Sequence, residues 1–236
     1  MILEMRNVHV NLGLSHVLQG VNLVIKPGET VGLFGRNGVG KTTIVKTIAG
    51  WHKPSSGDVY FEGHLTNEFS SNEITRLGLG LVPEDRRIFP GLSVEDNLKL
   101  GLMQVPSGER KAAEQNLEMV FDKFPRLRER RLQSGTTLSG GEQQMLAMAR
   151  VLVGNPKLLL IDEPTEGLAP MVVAEIFRIM EELKERGIAI LLIEQNVHKA
   201  IHLCDRHYVV ERGSIVLEGN SQNPVDRLKL IERISV

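Results

Sequence analysis

A glycine-rich segment, Gly35-Arg-Asn-Gly-Val-Gly-Lys-Thr-Thr43, limits the possible folds of this 236-residue chain more than any other pattern in it. It matches the whole phosphate-loop pattern, and it lies between the short apolar run Thr30–Phe34 and a helical pattern over Thr42–Ala49. Glycine suits this place because consecutive backbone N–H groups must turn toward a polyphosphate, and a Cβ would block both that conformation and the approach. The segment therefore predicts a strand, a phosphate-binding loop and a helix.

The residues of this loop have predicted contacts with a bound nucleotide. Lys41 is expected to place its ammonium group at the β and γ phosphates, and Thr42 is expected to offer its hydroxyl to Mg²⁺. The helix that starts there points the positive end of its dipole at the same anion. We therefore predict ATP and Mg²⁺ as the cofactors. The predicted nucleotide-binding residues of the segment are Gly35, Arg36, Asn37, Gly38, Val39, Gly40, Lys41, Thr42 and Thr43.

Two adjacent acidic residues, Asp162 and Glu163, end a second apolar run, Leu158–Ile161. Burying carboxylates at the end of a covered strand costs free energy unless a cation compensates the charge. We predict that Asp162 holds Mg²⁺, directly or through water, and that Glu163 is the catalytic residue that polarises the attacking water. Two solvated acids at a strand end are the structural alternative.

The order of the patterns along the chain predicts an α/β fold. Alternating apolar residues before Pro27 predict antiparallel strands. Continuous apolar runs at Lys157–Ile161 and Ile188–Ile193 predict parallel strands that are covered on both faces, and a closing hairpin is predicted at Arg212-Gly213. Charged helical patterns separate the two halves of this core. We predict helices at Val94–Leu100, Glu109–Phe124, Gly141–Leu152 and Met171–Arg186.

A further motif, Leu138-Ser-Gly-Gly-Glu-Gln-Gln144, begins one of these helices. Its serine and two glycines open a helix whose N-terminus can hold an anion, so the segment is a second phosphate clamp. Beside a phosphate loop, this motif is similar to the signature of the ABC ATPases. The resemblance covers essentially the whole chain. It implies the ABC ATPase fold, an α/β phosphate-loop core of the RecA-like kind with an antiparallel β subdomain and an inserted helical subdomain.

The resemblance implies a single ABC ATPase domain over residues 1–236. The nucleotide-binding core with the antiparallel β subdomain would span 1–83 and 151–218, and the helical subdomain would span 84–150. Residues 219–236 would form a C-terminal helix.

The resemblance also implies a second ATPase subunit, either a copy of this chain or a different ATPase. Because one chain does not place two phosphate clamps on opposite sides of one nucleotide, the signature residues would meet ATP on that partner. Thr165–Leu168 would form the loop through which the two sites sense each other. The signature residues assigned to nucleotide contact are Ser139, Gly140, Gly141 and Glu142.

Three positions depart from the commonest pattern of the family. Glu84 replaces the glutamine that links the metal to the helical subdomain, and its carboxylate is a predicted Mg²⁺ ligand. Gln195 replaces the switch histidine, and it joins Glu163 and Lys41 as a predicted catalytic residue that works by amide hydrogen bonding. Leu12 replaces an aromatic residue that stacks on adenine, which predicts looser, apolar recognition of the base.

Together with Pro83–Pro90 and Glu194–Asn196, these departures resemble an ATPase subunit of the branched-chain (hydrophobic) amino-acid importers. The resemblance implies transmembrane permease subunits and a second ABC ATPase as partners, and indirectly a solute-binding protein. It also implies a peripheral location on the cytoplasmic face of the inner membrane. Close relatives handle urea or short amides, and an exporter of lipid or polysaccharide also remains open. Two further alternatives also remain open: a degenerate, weakly active site, and a regulatory module that binds ATP without hydrolysing it.

Composition agrees with this interpretation. The formal net charge is −1, so no bulk field draws the chain to nucleic acid or anionic lipid, and we expect no nucleic-acid partner. A soluble ABC ATPase acting on ribosomes or nucleic acid would normally carry tandem domains or a coiled-coil insertion. No apolar run approaches the roughly 18 residues of a spanning helix, and the opening residues lack the pattern of a secretory leader. A single cysteine, Cys204, agrees with a reducing compartment.

Three weaker features allow a functional and a structural interpretation. His198, His202, Cys204 and His207 lie close enough in sequence to suggest a metal site, but they lack an established ligand spacing, so a surface helix leading into a strand is favoured. The basic run Arg126–Arg131 is interpreted as a solvated part of the helical subdomain rather than a nucleic-acid contact. Arg86 and Arg87 are candidates for contact with a membrane subunit.

Overall fold

The described strands of the protein form two β-sheets. The structure is a computed structural model that describes residues 1–105 and 110–235. The smaller sheet is antiparallel and the larger one is mainly parallel, as the pairings below show. In chain order the strands are β1 (Leu3–Leu12), β2 (Ser15–Ile25), β3 (Thr30–Phe34), β4 (Ser56–Phe61), β5 (His64–Leu65), β6 (Leu79–Val82), β7 (Leu158–Asp162), β8 (Ala189–Ile193), β9 (Arg206–Glu211) and β10 (Ser214–Asn220).

The larger sheet brings the ends of its parallel strands to one edge. Its strand order is β10-β9-β3-β8-β7-β6, with β10 antiparallel to β9 and the other neighbours parallel. Leu33 of β3 and Asp162 of β7 both pair with Ile193 of β8. The residues that follow β3, β7 and β8 therefore lie side by side, which is where ligands bind in open parallel sheets. The smaller sheet has the order β2-β1-β4-β5.

Helices cover both faces of the larger sheet and form a group beyond its β6 edge. The described helices are α1 (Lys41–Ile48), α2 (Ser71–Arg76), α3 (Val94–Lys99), α4 (Arg110–Lys123), α5 (Pro125–Glu129), α6 (Gly140–Val153), α7 (Pro170–Glu185), α8 (Val197–Leu203) and α9 (Pro224–Ser235). Short 3-10 turns lie at Leu100–Gln104 and Gly135–Thr137.

Successive residues of β7 pack into two different apolar cores. Leu158 and Leu160 join a core with residues of β1, β2 and α1, whereas Leu159 and Ile161 join a core with residues of α6, α7 and α8. Side chains of a strand alternate between the faces of a sheet, so a strand covered on both sides is apolar throughout. This is the physical reason for the continuous apolar runs in the sequence.

The α/β class with an antiparallel sheet and added helices, predicted from the sequence, is confirmed. Glu109, the predicted first residue of the helix at α4, lies outside the described residues. The C-terminal helix begins at Pro224 rather than at residue 219, because β10 continues to Asn220 and the Asn223 side chain accepts a hydrogen bond from the N–H of Val225. Val236 also lies outside the described residues. The division into subdomains stays a prediction.

Candidate functional site

The segment between β3 and α1 forms a tight loop at the edge where the parallel strands end. Gly35 has φ 145°, and a Cβ on it would lie 2.4 Å from the carbonyl oxygen of Val210 in β9. Gly40, which precedes α1, has φ 113°. Residues with a side chain adopt these conformations only with strain, so the loop requires glycine at both positions. The N–H of Gly213 donates to Val39 O at 2.8 Å, which fixes the loop against the β9–β10 hairpin.

Lys41 fills the centre of this loop. Its side chain is 4% exposed, and Nζ donates hydrogen bonds to the carbonyl oxygens of Gly35 at 2.8 Å and Arg36 at 3.0 Å. Burial lowers the pKa of this ammonium group, and the nearby carboxylates of Glu163 and Asp162 raise it in part. A positive charge held inside a loop of backbone N–H groups is suited to bind a polyphosphate.

A cavity of about 310 Å³ opens over the loop. Half of the predicted site residues, nine of eighteen, line it. Its lining consists of Val17, Asn37, Gly38, Gly40, Lys41, Thr42, Thr43, Glu84, Glu163, Glu166 and Gln195. The other predicted loop residues, Gly35, Arg36 and Val39, line a neighbouring cavity of about 760 Å³ between the loop, the β9–β10 hairpin and α9.

Asp162 ends β7 beside this cavity, and its side chain fits a divalent cation. It is 3% exposed, and its Oδ1 atom has no hydrogen-bond partner among the described residues. Burial raises the pKa of its carboxyl to about 6, although a hydrogen bond with Thr42 lowers it in part. A buried carboxylate oxygen without a partner needs compensation, and Mg²⁺ prefers carboxylate and hydroxyl oxygens. Asp162 and Thr42 can therefore supply ligands for Mg²⁺.

Glu163 follows Asp162 in a left-handed conformation, with φ 46°. The amide Nε2 of Gln195 donates a hydrogen bond of 2.5 Å to its Oε2, and the Glu163 N–H donates to Ile193 O at 3.0 Å. A non-glycine residue in this region is strained, and such residues concentrate at functional sites. The contact fixes the direction of the carboxylate toward the cavity. The structure thus brings together Glu163 and Gln195, two residues that the sequence predicts to be catalytic.

Two further acids at this edge, Glu166 and Glu194, were not predicted as site residues. Carboxylate oxygens of Glu84, Glu163 and Glu166 lie within 4.8 Å of one another, and the hydrogen bond between Glu166 and Glu163 raises the pKa of Glu166. Glu194 is buried, accepts a hydrogen bond of 2.6 Å from Thr165 Oγ1, and has its pKa raised by burial. The pattern that identified the end of β7 is an acid directly after an apolar run. Glu194 follows the apolar run of β8 in the same way, so this pattern could also have identified it.

The signature segment begins α6 with a reciprocal cap. Ser139 Oγ accepts a hydrogen bond from the Glu142 N–H at 3.4 Å, and the Glu142 carboxylate accepts the Ser139 N–H at 2.9 Å. Glu142 also forms an ion pair of 3.2 Å with Arg130, so its described contacts are structural. A Cβ on Gly141 would lie 2.7 Å from Val172 of α7. None of these signature residues lines the described cavity over the phosphate loop.

The phosphate loop and the predicted second phosphate clamp at the start of α6 lie apart in this chain, an arrangement typical of a particular ATPase family. The sequence profile of the ABC transporter family matches residues 18–166. The chain belongs to this family. The predicted ABC ATPase fold is therefore confirmed, and so is its assignment as an enzyme that binds and hydrolyses ATP.

Relatives of this ABC ATPase serve several transporters. It is 41% identical over 216 residues to the high-affinity branched-chain amino acid transport ATP-binding protein BraG of Pseudomonas aeruginosa, covering 92% of this chain and 91% of BraG. It is 35% identical over 228 residues to the probable branched-chain amino acid transport ATP-binding protein LivF of Archaeoglobus fulgidus, covering 95% of each. It is 34% identical over 206 residues to the lipopolysaccharide export system ATP-binding protein LptB of Escherichia coli, covering 86% of this chain and 84% of LptB.

A solved structure gives the same conclusion about the fold. The dimeric ATP-binding cassette MJ0796, bound to ADP and Pi after hydrolysis, matches with a TM-score of 0.80 and 27% identity, over 94% of this chain and 99% of that one. This ABC ATPase is therefore the ATP-hydrolysing subunit of a transporter, in a family whose ATPase subunits dimerise and work with transmembrane permeases. In the described ranges, no helix combines the length and apolarity that crossing a bilayer requires.

Leu12 lies at the end of the β1–β2 hairpin of the ABC ATPase. It pairs with Ser15 and is 39% exposed, and Val17, two residues beyond Ser15, lines the cavity over the phosphate loop. An exposed aliphatic side chain near this rim can offer an apolar surface to a base. Its contact with adenine stays a prediction.

The histidine and cysteine residues near α8 do not form a cluster. Cys204 is fully buried, and burial raises its pKa. His207 is also buried, with Nδ1 3.0 Å from Ser221 Oγ, whereas His198 and His202 are exposed. Among the described residues, the acids Glu84, Glu163 and Glu166 form the group that could hold a metal, and none of these histidines belongs to it.

The basic run Arg126–Arg131 is neutralised by acidic neighbours. Arg128 contacts Asp122 at 2.8 Å, and Arg131 contacts Glu95 at 2.9 Å. Both arginine side chains are more than 40% exposed, so the pairs are solvated and add little stability. The run is a charged surface of the helical group, as its composition indicates.

Proposed function

We propose that this ABC ATPase drives the import of branched-chain or other hydrophobic amino acids. The observation that carries the proposal is the 41% identity to BraG over nearly the full length of both chains. Glu84 and Gln195, which depart from the commonest ABC pattern, both line the cavity over the phosphate loop and so support a subfamily with its own catalytic geometry. Import of urea or short amides would use the same subunit.

We propose that the phosphate loop and the acids around it carry out hydrolysis. Lys41 and the backbone N–H groups from Gly35 to Thr43 bind the phosphates of ATP. Thr42, Asp162 and Glu84 would hold Mg²⁺, which would neutralise charge on the phosphates. Glu163 polarises the attacking water, and the Gln195 amide keeps its carboxylate in position. Because an amide carries no charge, Gln195 acts by hydrogen bonding rather than by placing a cation near the γ phosphate.

We propose further that Ser139, Gly140 and Gly141 complete the site of a second ATPase subunit. Their separation from the cavity over the phosphate loop of the same chain supports this arrangement. Ser139 and the first N–H groups of α6 form an anion-binding helix end. Two subunits would close on two nucleotides and reopen after hydrolysis, which is the motion that a transporter requires.

The permease partner would dock in a groove of about 600 Å³ beside residues 83–90. Its rim carries the exposed side chains of Trp51, Phe89 and Met103, which are 38%, 47% and 67% exposed. Exposed aromatic and methionine side chains beside a groove favour a protein partner. With such a partner the ABC ATPase would lie peripherally on the cytoplasmic face of the inner membrane, and a solute-binding protein would supply the cargo.

Export is the second candidate function, and the 34% identity to LptB over most of both chains is the observation that favours it. Affinity purification of the tagged ABC ATPase from detergent-solubilised native membranes distinguishes import from export. Recovery of two multispanning permeases, a second ATPase and a solute-binding protein is expected for an importer. Recovery of permeases with lipid-transfer proteins would support export, and recovery of only soluble partners would overturn both.

The transported substrate is then tested in proteoliposomes that contain the purified assembly. We expect ATP-dependent uptake of leucine, isoleucine or valine, and the matched control is the assembly with Lys41→Ala, which keeps the partners but loses the phosphate contact. Uptake of urea or acetamide in place of leucine would transfer the assignment to an amide importer.

A further inference from the structure

The segment between β6 and α3 carries an unusual backbone. We name residues 83–90 the Glu84 loop. Two successive residues in it, Arg86 and Arg87, have φ 57° and 47°. Left-handed conformation in two consecutive non-glycine residues is strained and persists only where surrounding contacts impose it. Two backbone hydrogen bonds, from the Arg86 N–H to Pro83 O at 3.2 Å and from the Arg87 N–H to Asp85 O at 2.5 Å, close the turn that contains Glu84.

Arg150 contacts the carbonyl groups of both left-handed residues. It lies in the last turn of α6, the helix that begins with the signature motif, which we name the signature helix. Its guanidinium donates hydrogen bonds to Arg87 O at 2.7 Å and Arg86 O at 3.2 Å, and its Cζ atom lies 5.1 Å from the ring centroid of Phe89. A guanidinium can span two carbonyl groups at fixed spacing, which a lysine ammonium does less well.

The Glu84 loop also contacts the beginning of the signature helix and the region after the phosphate-loop helix. Arg86 Nη1 lies 3.2 Å from the position that a Cβ on Gly140 would occupy. Arg87 stacks over the ring of Trp51, with its Cζ atom 4.5 Å from the ring centroid, and Trp51 follows α1 closely. Arg150, Arg87 and Phe89 line the groove proposed above for the permease. The loop therefore connects this groove, the signature helix and the cavity that contains Glu84.

We propose that Arg150 is a positioning residue that holds the Glu84 loop in its strained conformation and thereby ties the position of Glu84 to the signature helix. The inference deepens the proposed function, because it depends on the role of Glu84 at the nucleotide. Movement of the signature helix pulls on the carbonyl groups of Arg86 and Arg87 and shifts the Glu84 carboxylate. A partner that docks in the groove contacts Arg150, Arg87 and Phe89, and so acts on the same loop.

The first test compares Arg150→Met and Arg150→Lys with the control Arg178→Met, which removes an arginine paired with Glu182 within a single helix. We expect Arg150→Met to lower kcat about tenfold or more with little change in KM for ATP, because a displaced catalytic group slows chemistry more than binding. Arg150→Lys should recover part of the loss, because its ammonium group can still donate to one of the two carbonyl groups. A folded Arg150→Met variant with wild-type kcat would overturn the proposal.

A second readout does not depend on activity. Hydrogen exchange in the absence of nucleotide should speed up at the amides of residues 84–90 in Arg150→Met and stay near wild type in Arg178→Met, because the loop loses its restraint. Unchanged exchange in this segment would also contradict the proposal.

A rescue experiment separates positioning from general packing. The double variant Arg150→Met with Arg87→Gly should have a kcat close to that of Arg87→Gly alone. Glycine adopts the left-handed conformation without an external restraint, so the loss of Arg150 should then matter little. Loss that glycine does not relieve would leave Arg150 with a packing role and overturn the proposal. These tests measure ATP hydrolysis or hydrogen exchange, so they are independent of the cargo. Failure of amino-acid uptake in proteoliposomes would remove the proposed function and leave the result for Arg150 intact.

Discussion

The phosphate loop and the Glu84 loop face the same cavity, but they obtain left-handed backbone in opposite ways. The phosphate loop uses glycines, Gly35 and Gly40, which adopt positive φ without a steric cost. The Glu84 loop uses Arg86 and Arg87, which are strained in that region and depend on hydrogen bonds from another element. The first loop is thus fixed by its own backbone, whereas the second is fixed by a contact that a moving helix can alter.

This difference matches what each loop has to do. A polyphosphate cradle works best when its N–H groups are in place before the ligand arrives, since no free energy is then lost in ordering it. A loop that reports the position of a helix needs two accessible conformations and a contact that selects between them. Glu163, at φ 46°, is also a strained non-glycine residue. Its carboxylate stands between the two loops and depends on Gln195.

The largest expected effect is on ATP turnover, when the charge of Glu163 between the two loops is removed. Glu163→Gln should lower ATP turnover by about 10³-fold to 10⁴-fold, since general-base assistance is worth up to that amount. Nucleotide should still bind, and the variant should accumulate as an ATP-bound dimer. Steady-state turnover and light scattering after gel filtration measure the two properties. A variant that stays monomeric with ATP and Mg²⁺ present would contradict the mechanism.

Adding a methyl group to the phosphate loop has the next largest expected effect. Gly35→Ala should reduce the free energy of unfolding by about 4 kcal/mol, because the Cβ meets the Val210 carbonyl oxygen and the backbone is strained as well. The matched control is Gly38→Ala, where no atom lies within 4 Å of the added Cβ. There only the strain of positive φ remains, about 1 kcal/mol. Urea denaturation of both variants measures the difference, and equal losses would refute the steric explanation.

The buried carboxyl of Asp162 predicts a dependence of stability on pH. Burial raises its pKa from 3.8 to about 6, so the folded protein binds the proton more tightly than the unfolded chain does. Without Mg²⁺ this contribution is fully present below pH 3.8 and is lost as the pH rises through about 6, by up to about 3 kcal/mol. The raised pKa of Glu194 acts in the same direction.

Denaturation in metal-free buffer between pH 4 and 7 measures this contribution. Asp162→Asn should flatten the slope, because it removes the titrating group and keeps the shape of the side chain. Adding Mg²⁺ and ATP should reverse the trend for the wild-type protein, because the metal selects the ionised carboxylate. An unchanged slope in Asp162→Asn would show that other groups cause the dependence.

The smallest expected effect is on the free energy of unfolding, when a glycine is placed in the Glu84 loop. Arg87→Gly should change the free energy of unfolding by less than about 1 kcal/mol, because relief of left-handed strain offsets the loss of the stacking on Trp51. The measurement is informative beside Gly35→Ala, because Arg87→Gly removes a side chain from a left-handed position and Gly35→Ala adds a side chain to a position of positive φ. Destabilisation as large as that of Gly35→Ala would mean that the Glu84 loop is as rigid as the phosphate loop.

Much of the fold was predictable because its signals are local. The phosphate loop lies within nine consecutive residues, Gly35–Thr43, and the apolar runs of β7 and β8 reflect cover on both faces of the sheet. The helix ends were harder to predict, as the start of α9 at Pro224 shows. Strand pairing with β9 extends β10 to Asn220, and pairing of that kind is not visible in the segment itself.

Residue types at a fixed spacing within single segments were enough to identify the family, the phosphate clamp and the acidic end of β7. Three contacts became known only from the packed chain: Gln195 with Glu163, Glu166 with Glu84 at the cavity, and Arg150 with the carbonyl groups of the Glu84 loop. These contacts join residues that are far apart in the chain. Their distances depend on how the sheet and helices pack, and no local pattern records them.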